Sequence, residues 1–277
     1  MSPGRRPEVS YSGPRGEQRL RCRLIVGADG RRSVVREQAA IPLHTAPPTH
    51  LISGLLVDGA PEWPQDKSSS GTQGDVMFLV LPQGGDRLRV YLGTALDGKH
   101  RYDGRYGALN FLAEFQQLTC LPWAPAVANA RPIGPCATFP GDDTWTEAPV
   151  ATGVVLIGDA AGYNDPIMGQ GLAIALRDAR VLSELLLAES DWDASCLRPY
   201  AEERGERMRR LRLTAALYAT LHSDFTPGAT QRQARFYERA RAGSDQTVRL
   251  ALLAAAAGPE RVPDEVFMPE IRANLLG

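Results

Sequence analysis

Two short segments carry the residue types and spacing that could do chemistry in this chain. The first is "GADGRRSVVR", Gly27 to Arg36, which places Asp29 and Gly30 just after an apolar stretch. The second is "VVLIGDAAGYNDPIMGQGL", Val154 to Leu172. Here an apolar run ends in Gly158-Asp159, and a loop through Pro166 leads to Gly169-Gln170-Gly171. In open α/β sheets, ligands sit beyond the carboxyl ends of the strands. An ionised carboxylate accepts hydrogen bonds and donates none, so Asp159 suits the hydroxyls of a sugar or polyol. Glycine lets the backbone come close to a flat ligand. Free N–H groups at the start of the next helix attract negative charge. The combination matches a flavin, whose ribityl chain carries hydroxyls and whose reduced ring carries negative charge near N1 and the C2 carbonyl. Taken alone, Gly-Asp is equally a turn with an Asp cap, and Gly-x-Gly before a helix is a weak signal.

The elements that must position these residues follow from the pattern. "EVSYSGPRGEQRLRCRLIVGADG" reads as two strands joined by a Gly/Pro turn. Leu20, Cys22 and Leu24 alternate with arginines, the period of a half-buried strand, and the strand then runs into "LIV" as if entering a buried sheet. "ADGRRSVVREQA" reads as a turn and a short helix. From Leu51 to Thr138 the text is rich in β signals, with "LPQGGDRLRVYLG" as a hairpin and "GALNFLAEFQQL" as a helix. "EWPQDKSSSGTQGD" reads as a polar surface loop. Val154 to Ile157 returns to the buried, parallel type, and everything after Gly171 reads as helical. The expected fold class is α/β: a partial Rossmann-like sheet with an inserted antiparallel β domain and a helical C-terminus. The expected boundaries are 1–45 and 139–190 for the sheet domain, 46–138 for the insert and 191–277 for the helical region.

Composition sets the remaining bounds. A net charge of −1 gives no broad basic field for nucleic acid or an anionic membrane. The longest apolar stretch, "LALLAAAAG" from Leu250, is too short to span a bilayer. "MSPGRRPEVS" lacks the apolar centre of a signal peptide, and four scattered cysteines follow no framework, so the expected setting is the cytoplasm. In "EERGERMRRLR", Glu203 with Arg207 and Glu206 with Arg210 read as a solvated helix face. His44, His50, His100 and His222 lack metal-ligand spacing and read as surface or core residues, with no metal expected.

The two motifs together, in this order and separated by a β-rich insert, resemble the flavoprotein monooxygenases related to p-hydroxybenzoate hydroxylase. The resemblance covers about Leu20 to Leu187. It implies FAD as cofactor, with Asp159 on the ribityl hydroxyls and Pro166 to Leu172 along the ring. The N–H groups around Gly171 and Leu172 would face N1 and the C2 carbonyl, and Asp29 and Gly30 would lie near the pyrophosphate. Ser33 and Arg36 complete the first motif, with a local capping or ion-pair role as the simpler reading. Tyr163 and Asn164 either shape the active face or cap the loop. The implied reaction uses NAD(P)H and oxygen to hydroxylate or epoxidise a small aromatic or polyketide-like substrate through a flavin C4a-hydroperoxide. That chemistry belongs to the cofactor, so no catalytic side chain is assigned. Met77, Phe78 and Leu79 read as core first and as a wall of a dry substrate pocket second.

One part of the resemblance has no counterpart. The family opens with a βαβ unit bearing G-x-G-x-x-G, and this sequence has none. The expectation is a truncated gene product, a misplaced start, or a split enzyme whose separate partner supplies the Rossmann half. The alternatives for the activity are a remnant that binds no cofactor alone, or a related flavoenzyme such as a halogenase or a reductase.

Overall fold

The computed structural model describes residues 1–276. In chain order the strands are β1 (Glu8–Gly13), β2 (Gly16–Arg21), β3 (Ile25–Gly27), β4 (His44–Thr45), β5 (His50–Asp58), β6 (Ser69–Gln73), β7 (Val76–Pro82), β8 (Leu88–Thr94), β9 (Arg131–Gly141), β10 (Thr144–Trp145), β11 (Val150–Ala151) and β12 (Val154–Leu156). The helices are α1 (Val34–Gln38), α2 (Gly107–Phe115), α3 (Ala124–Ala128), α4 (Gly171–Ala188), α5 (Ala194–His222), α6 (Ala229–Ala242), α7 (Gln246–Ala257) and α8 (Pro269–Leu276). The chain divides into two compact units. One comprises Met1–Pro47, Asp142–Ala215 and Leu253–Pro263; the other comprises Pro48–Gly141, Ala216–Leu252 and Asp264–Gly277. The C-terminal helices, read from the sequence as one region, are shared between the two.

The first unit is built on a three-stranded sheet in the order β11-β12-β3. β12 runs parallel to β3 and antiparallel to β11. Val154 and Leu156 of β12 pack with Ile25, Ile41 and Ala161. Val155 turns the other way, to Leu182, Leu197 and Tyr200. Both faces are covered, which is why this strand is an unbroken apolar run rather than an alternating one. The β1–β2 ribbon is a separate antiparallel pair. Val9 of β1 is partly buried against the Ile25 cluster, but Leu20 of β2 is 59% exposed, so the half-buried face expected on this strand is not formed. The chain leaves the ribbon at Arg21, and Cys22 and Leu24 pack into different clusters instead of sharing a face.

The second unit carries a five-stranded sheet in the order β6-β7-β8-β5-β9, with every pairing antiparallel. Val76, Phe78 and Val80 of β7 and Leu88, Val90 and Leu92 of β8 alternate onto one face and pack with Phe111 and Phe115 of α2. Phe78 is therefore core. Met77 is buried on the opposite face, beside Gly93 and Ser223, and Leu79 is half-buried. Part of the expected polar loop is a strand: Ser69–Gln73 forms β6 and pairs with β7 at the sheet edge. An edge strand keeps one side open, so a polar run is tolerated there. His50 and His222 are buried, whereas His44 and His100 are exposed.

The solvated arginine face expected on α5 is also corrected. The Glu203–Arg207 and Glu206–Arg210 pairs form. However, Arg204 and Arg207 are buried, because both turn inward to Asp178 on α4.

Candidate functional site

The first acid lies two residues beyond β3, and its carboxylate is engaged locally. Ser33 donates its hydroxyl to Asp29 Oδ1 at 2.5 Å, and the Val35 amide donates to Oδ2 at 3.0 Å. Burial pushes the Asp29 carboxyl up, but these hydrogen bonds outweigh it and hold the group below its usual range. Ser33 caps α1 by accepting from the Arg36 amide at 2.9 Å. Arg36 does more than the local role expected of it. Its Nη1 crosses to the second motif and donates to the Ala160 carbonyl at 3.1 Å. Gly30 follows with φ 79° and open space around it.

The second acid sits at the end of β12, in a 3-10 turn over Gly158–Ala161. Gly158, Ala160 and Ala161 are buried, while the Asp159 side chain is 32% exposed. Its nearest charge is Arg31 Nε at 3.5 Å, and the Arg31 guanidinium lies over the Tyr163 ring at 4.2 Å. The turn ends at Gly162, φ 108°, where a Cβ would meet the Thr144 carbonyl oxygen at 2.4 Å. Only glycine fits that position.

Beyond it, Tyr163 donates its hydroxyl to Asp142 and its amide to Thr144, and Asn164 donates to Asp143. Tyr163 and Asn164 thus hold the loop. Asp165 caps a second 3-10 turn, Pro166–Met168, by accepting from the Ile167 amide. Burial, then the charges of Asp143 and Asp142, push the Asp165 carboxyl up to about 7. Gly169 closes this turn in the left-handed region, φ 62°. Gln170 precedes α4 and makes no side-chain cap. The first backbone bond of α4 is from the Ile174 amide to the Gln170 carbonyl, so the amides of Gly171 and Leu172 lie ahead of the ladder. Leu172 is 72% exposed, and a Cβ at Gly169 or Gly171 would meet nothing within 4 Å.

Several residues that support this loop were missed in the sequence. Asp178 accepts the Gly158 amide at 2.8 Å. Tyr200 donates to the Leu156 carbonyl, and Arg204 reaches the Gly158, Ala161 and Gly162 carbonyls. Their signal was positional. Asp178 shares the buried stripe of α4 with Ile174 and Leu182, and Arg204 falls in line with Leu197, Tyr200, Met208 and Leu211 on α5. A charge on an apolar stripe must find partners.

The donor set fits the ribityl and ring portion of a flavin. An accessible carboxylate acceptor, uncapped helix N–H groups and open space at Gly30, Gly169 and Gly171 all belong to one unit.

Comparison with known proteins shows the family of the chain. The family model described as "FAD binding domain" matches residues 3–214, and the chain belongs to that family. It is 31% identical over 228 residues to the ubiquinone hydroxylase UbiL of Rhodospirillum rubrum, covering 78% of this chain and 50% of that protein. It is 27% identical over 183 residues to digeranylgeranylglycerophospholipid reductase 2 of Methanothermobacter thermautotrophicus, covering 64% of this chain and 44% of that protein. Its fold is that of HpxO from Klebsiella pneumoniae, solved with FAD and uric acid, at TM-score 0.70 and 20% identity, covering 92% of this chain and 64% of that one. The chain spans about half the length of the relatives it matches. Among the described residues no helix is long and apolar enough to cross a membrane.

Proposed function

We propose that this chain is part of a cytoplasmic FAD-dependent monooxygenase that hydroxylates or epoxidises a small aromatic or polyketide-like molecule. The observation that carries the reading is the partly exposed Asp159 carboxylate one loop away from the uncapped start of α4. Held by these residues, FAD would supply two-electron chemistry, carrying electrons from NAD(P)H to oxygen so that one oxygen atom would enter the substrate and the other leave as water.

The residues of this chain bind and orient. Asp159 accepts the ribityl hydroxyls. The Gly171 and Leu172 amides face the end of the ring where negative charge gathers, and the α4 dipole adds to their pull. Pro166, Gly169 and Gln170 line the ring, with Gly158 setting the turn behind it. Asp29 and Gly30 border the pyrophosphate. Asp29 acts there mainly by shaping the turn, since both of its oxygens are already engaged. These 277 residues contain no G-x-G-x-x-G segment. We assign the small-molecule substrate to the unit built on β5–β9.

FAD titration followed by absorbance and flavin fluorescence tests the site. Saturable binding that weakens by about a hundredfold in Asp159→Ala is expected for a lost charge-assisted contact. Equal binding by the wild type and the variant would remove Asp159 from the site. The match to a reductase supports a second reading, a flavin-dependent reductase. Labelled oxygen separates the two: its incorporation into product supports the monooxygenase, and a reduced product without label supports the reductase.

A further inference from the structure

We propose that Arg204, held by Asp178, is the positioning residue that sets the Gly158–Gly162 turn and so aims the Asp159 carboxylate outward. Arg204 is 2% exposed and uses its whole guanidinium fork. Nε donates to Asp178 Oδ2 at 2.8 Å. Nη1 donates to the Ala161 carbonyl at 3.2 Å. Nη2 donates to the Gly158 and Gly162 carbonyls, each at 3.0 Å. The same Asp178 Oδ2 accepts the Gly158 amide, and Oδ1 accepts from Arg207 at 2.5 Å. One ion pair therefore fixes both ends of the turn.

The turn needs such a device. It opens and closes on glycines with φ of 56° and 108°, and such residues lose the most conformational freedom on ordering. It lies beyond the end of β12, so no ladder supplies partners for its carbonyls, and buried carbonyls must be satisfied. By drawing three carbonyls inward, Arg204 leaves the Asp159 side chain on the outer side. A buried ion pair is no more stabilising than well-packed apolar residues of the same volume, so net stability does not account for this arrangement. What the pair adds is a defined path for the backbone. Lysine cannot replace it, because an ammonium is a single point and lacks the planar fork. The link to the flavin rests on the function proposed above; the link to the turn does not.

The test is hydrogen exchange on the 277-residue chain, read on peptides spanning 157–164. Within that stretch the Gly158, Gly162 and Tyr163 amides are all hydrogen-bonded. Arg204→Lys is expected to speed exchange there by at least about tenfold, the factor for one lost net hydrogen bond, while peptides from β5 and β8 stay unchanged. Unchanged exchange at 157–164, or an equal rise in every peptide, overturns the proposal. If Arg204→Lys does not fold, Asp178→Asn takes its place with the same expected pattern. It keeps an acceptor for the Gly158 amide and removes the charge that holds Arg204. FAD titration is the second reading, expected to weaken in Arg204→Lys. Asp159→Asn separates the two claims, since it should weaken FAD binding without loosening the turn. If Asp159→Asn leaves FAD binding intact while Arg204→Lys loosens the turn, the flavin reading fails and the positioning stands.

Discussion

The two units solve the same problem, satisfying backbone while burying side chains, by different means. The β5–β9 unit uses an antiparallel ladder, broken by one register shift between β5 and β9, and an apolar core, with Leu55, Val57, Val80, Val90, Leu92, Phe111 and Phe115 almost wholly buried. The unit carrying Asp29 and Asp159 has a parallel pair only three residues long, and its central loop is held by side chains reaching from α1, α4 and α5. Regular structure needs no particular residue to hold any one backbone group. The loop depends on Arg36, Asp178, Tyr200 and Arg204 individually. A surface that must present one carboxylate and a few free amides cannot spend them in a ladder, so its support comes from behind.

The contrast can be broken by mutation. Phe111→Ala, in the apolar core, should cost about 4 kcal/mol by denaturant unfolding, the transfer free energy plus the cavity left behind. A cost below about 1.5 kcal/mol would mean that this core repacks freely and is not the rigid half. Asp178→Ala should cost about 3 kcal/mol, because it removes the carboxylate partner of buried Arg204, one of the two carboxylates that Arg207 holds, and the acceptor of the Gly158 amide. Its loss should fall first on the loop, read by exchange at 157–164.

Acidity should separate the units by sign. Burial lowers His50 and His222 to about 4, so both are neutral in the folded β5–β9 unit. Between about 6.5 and 4 the unfolded chain binds protons that the fold refuses. The contribution of these histidines is full above about 6.5 and is lost as pH falls. Asp165 behaves in the opposite way. Its folded value of about 7 lies above that of the unfolded chain, so its contribution is full below about 4 and is lost as pH rises towards 7. Over the part of each window that lies between pH 5 and pH 8, each group contributes about 2 to 3 kcal/mol. Unit-resolved hydrogen exchange from pH 5 to pH 8 should show the β5–β9 unit gaining protection and the Asp165 loop losing it, after correction for intrinsic rates. Asp165→Asn should flatten the second trend and leave the first. Parallel trends in both units would remove the distinction.

Much of this contrast can be read in the amino-acid pattern, and the part that cannot has a physical reason. The unbroken Val154-Val155-Leu156 announces a strand covered on both faces, and the "QGGD" turn announces the β7–β8 hairpin. The loop residues proposed for the site also fall where the spacing puts them, at the ends of β3 and β12 and the start of α4. The support behind the loop is hidden, because one arginine-rich run satisfies two patterns. Glu203–Arg207 and Glu206–Arg210 are correct as i,i+4 pairs, yet Arg204 and Arg207 lie on the apolar stripe with Met208 and Leu211. Local pairing reports only neighbours along the helix. Burial is decided by Asp178, contributed by another helix. Leu20 misleads for a similar reason: alternation gives a strand a face, but a second layer is needed to bury it.

Leu172 and Leu176 share one face of α4 and are 72% and 62% exposed, unusually open for leucines in a helix with a buried stripe. Since they are in water in the folded chain, replacing both with Gln should change its stability by no more than about 0.5 kcal/mol. FAD affinity should also fall only a few-fold, because the proposed contact at Leu172 is through its backbone amide, which Gln retains. A stability loss above about 1.5 kcal/mol would show that this face is covered in solution, by a partner or by a second copy. In that case the loop unit would have an apolar contact of its own, and its dependence on the ion pair behind the loop would be correspondingly less.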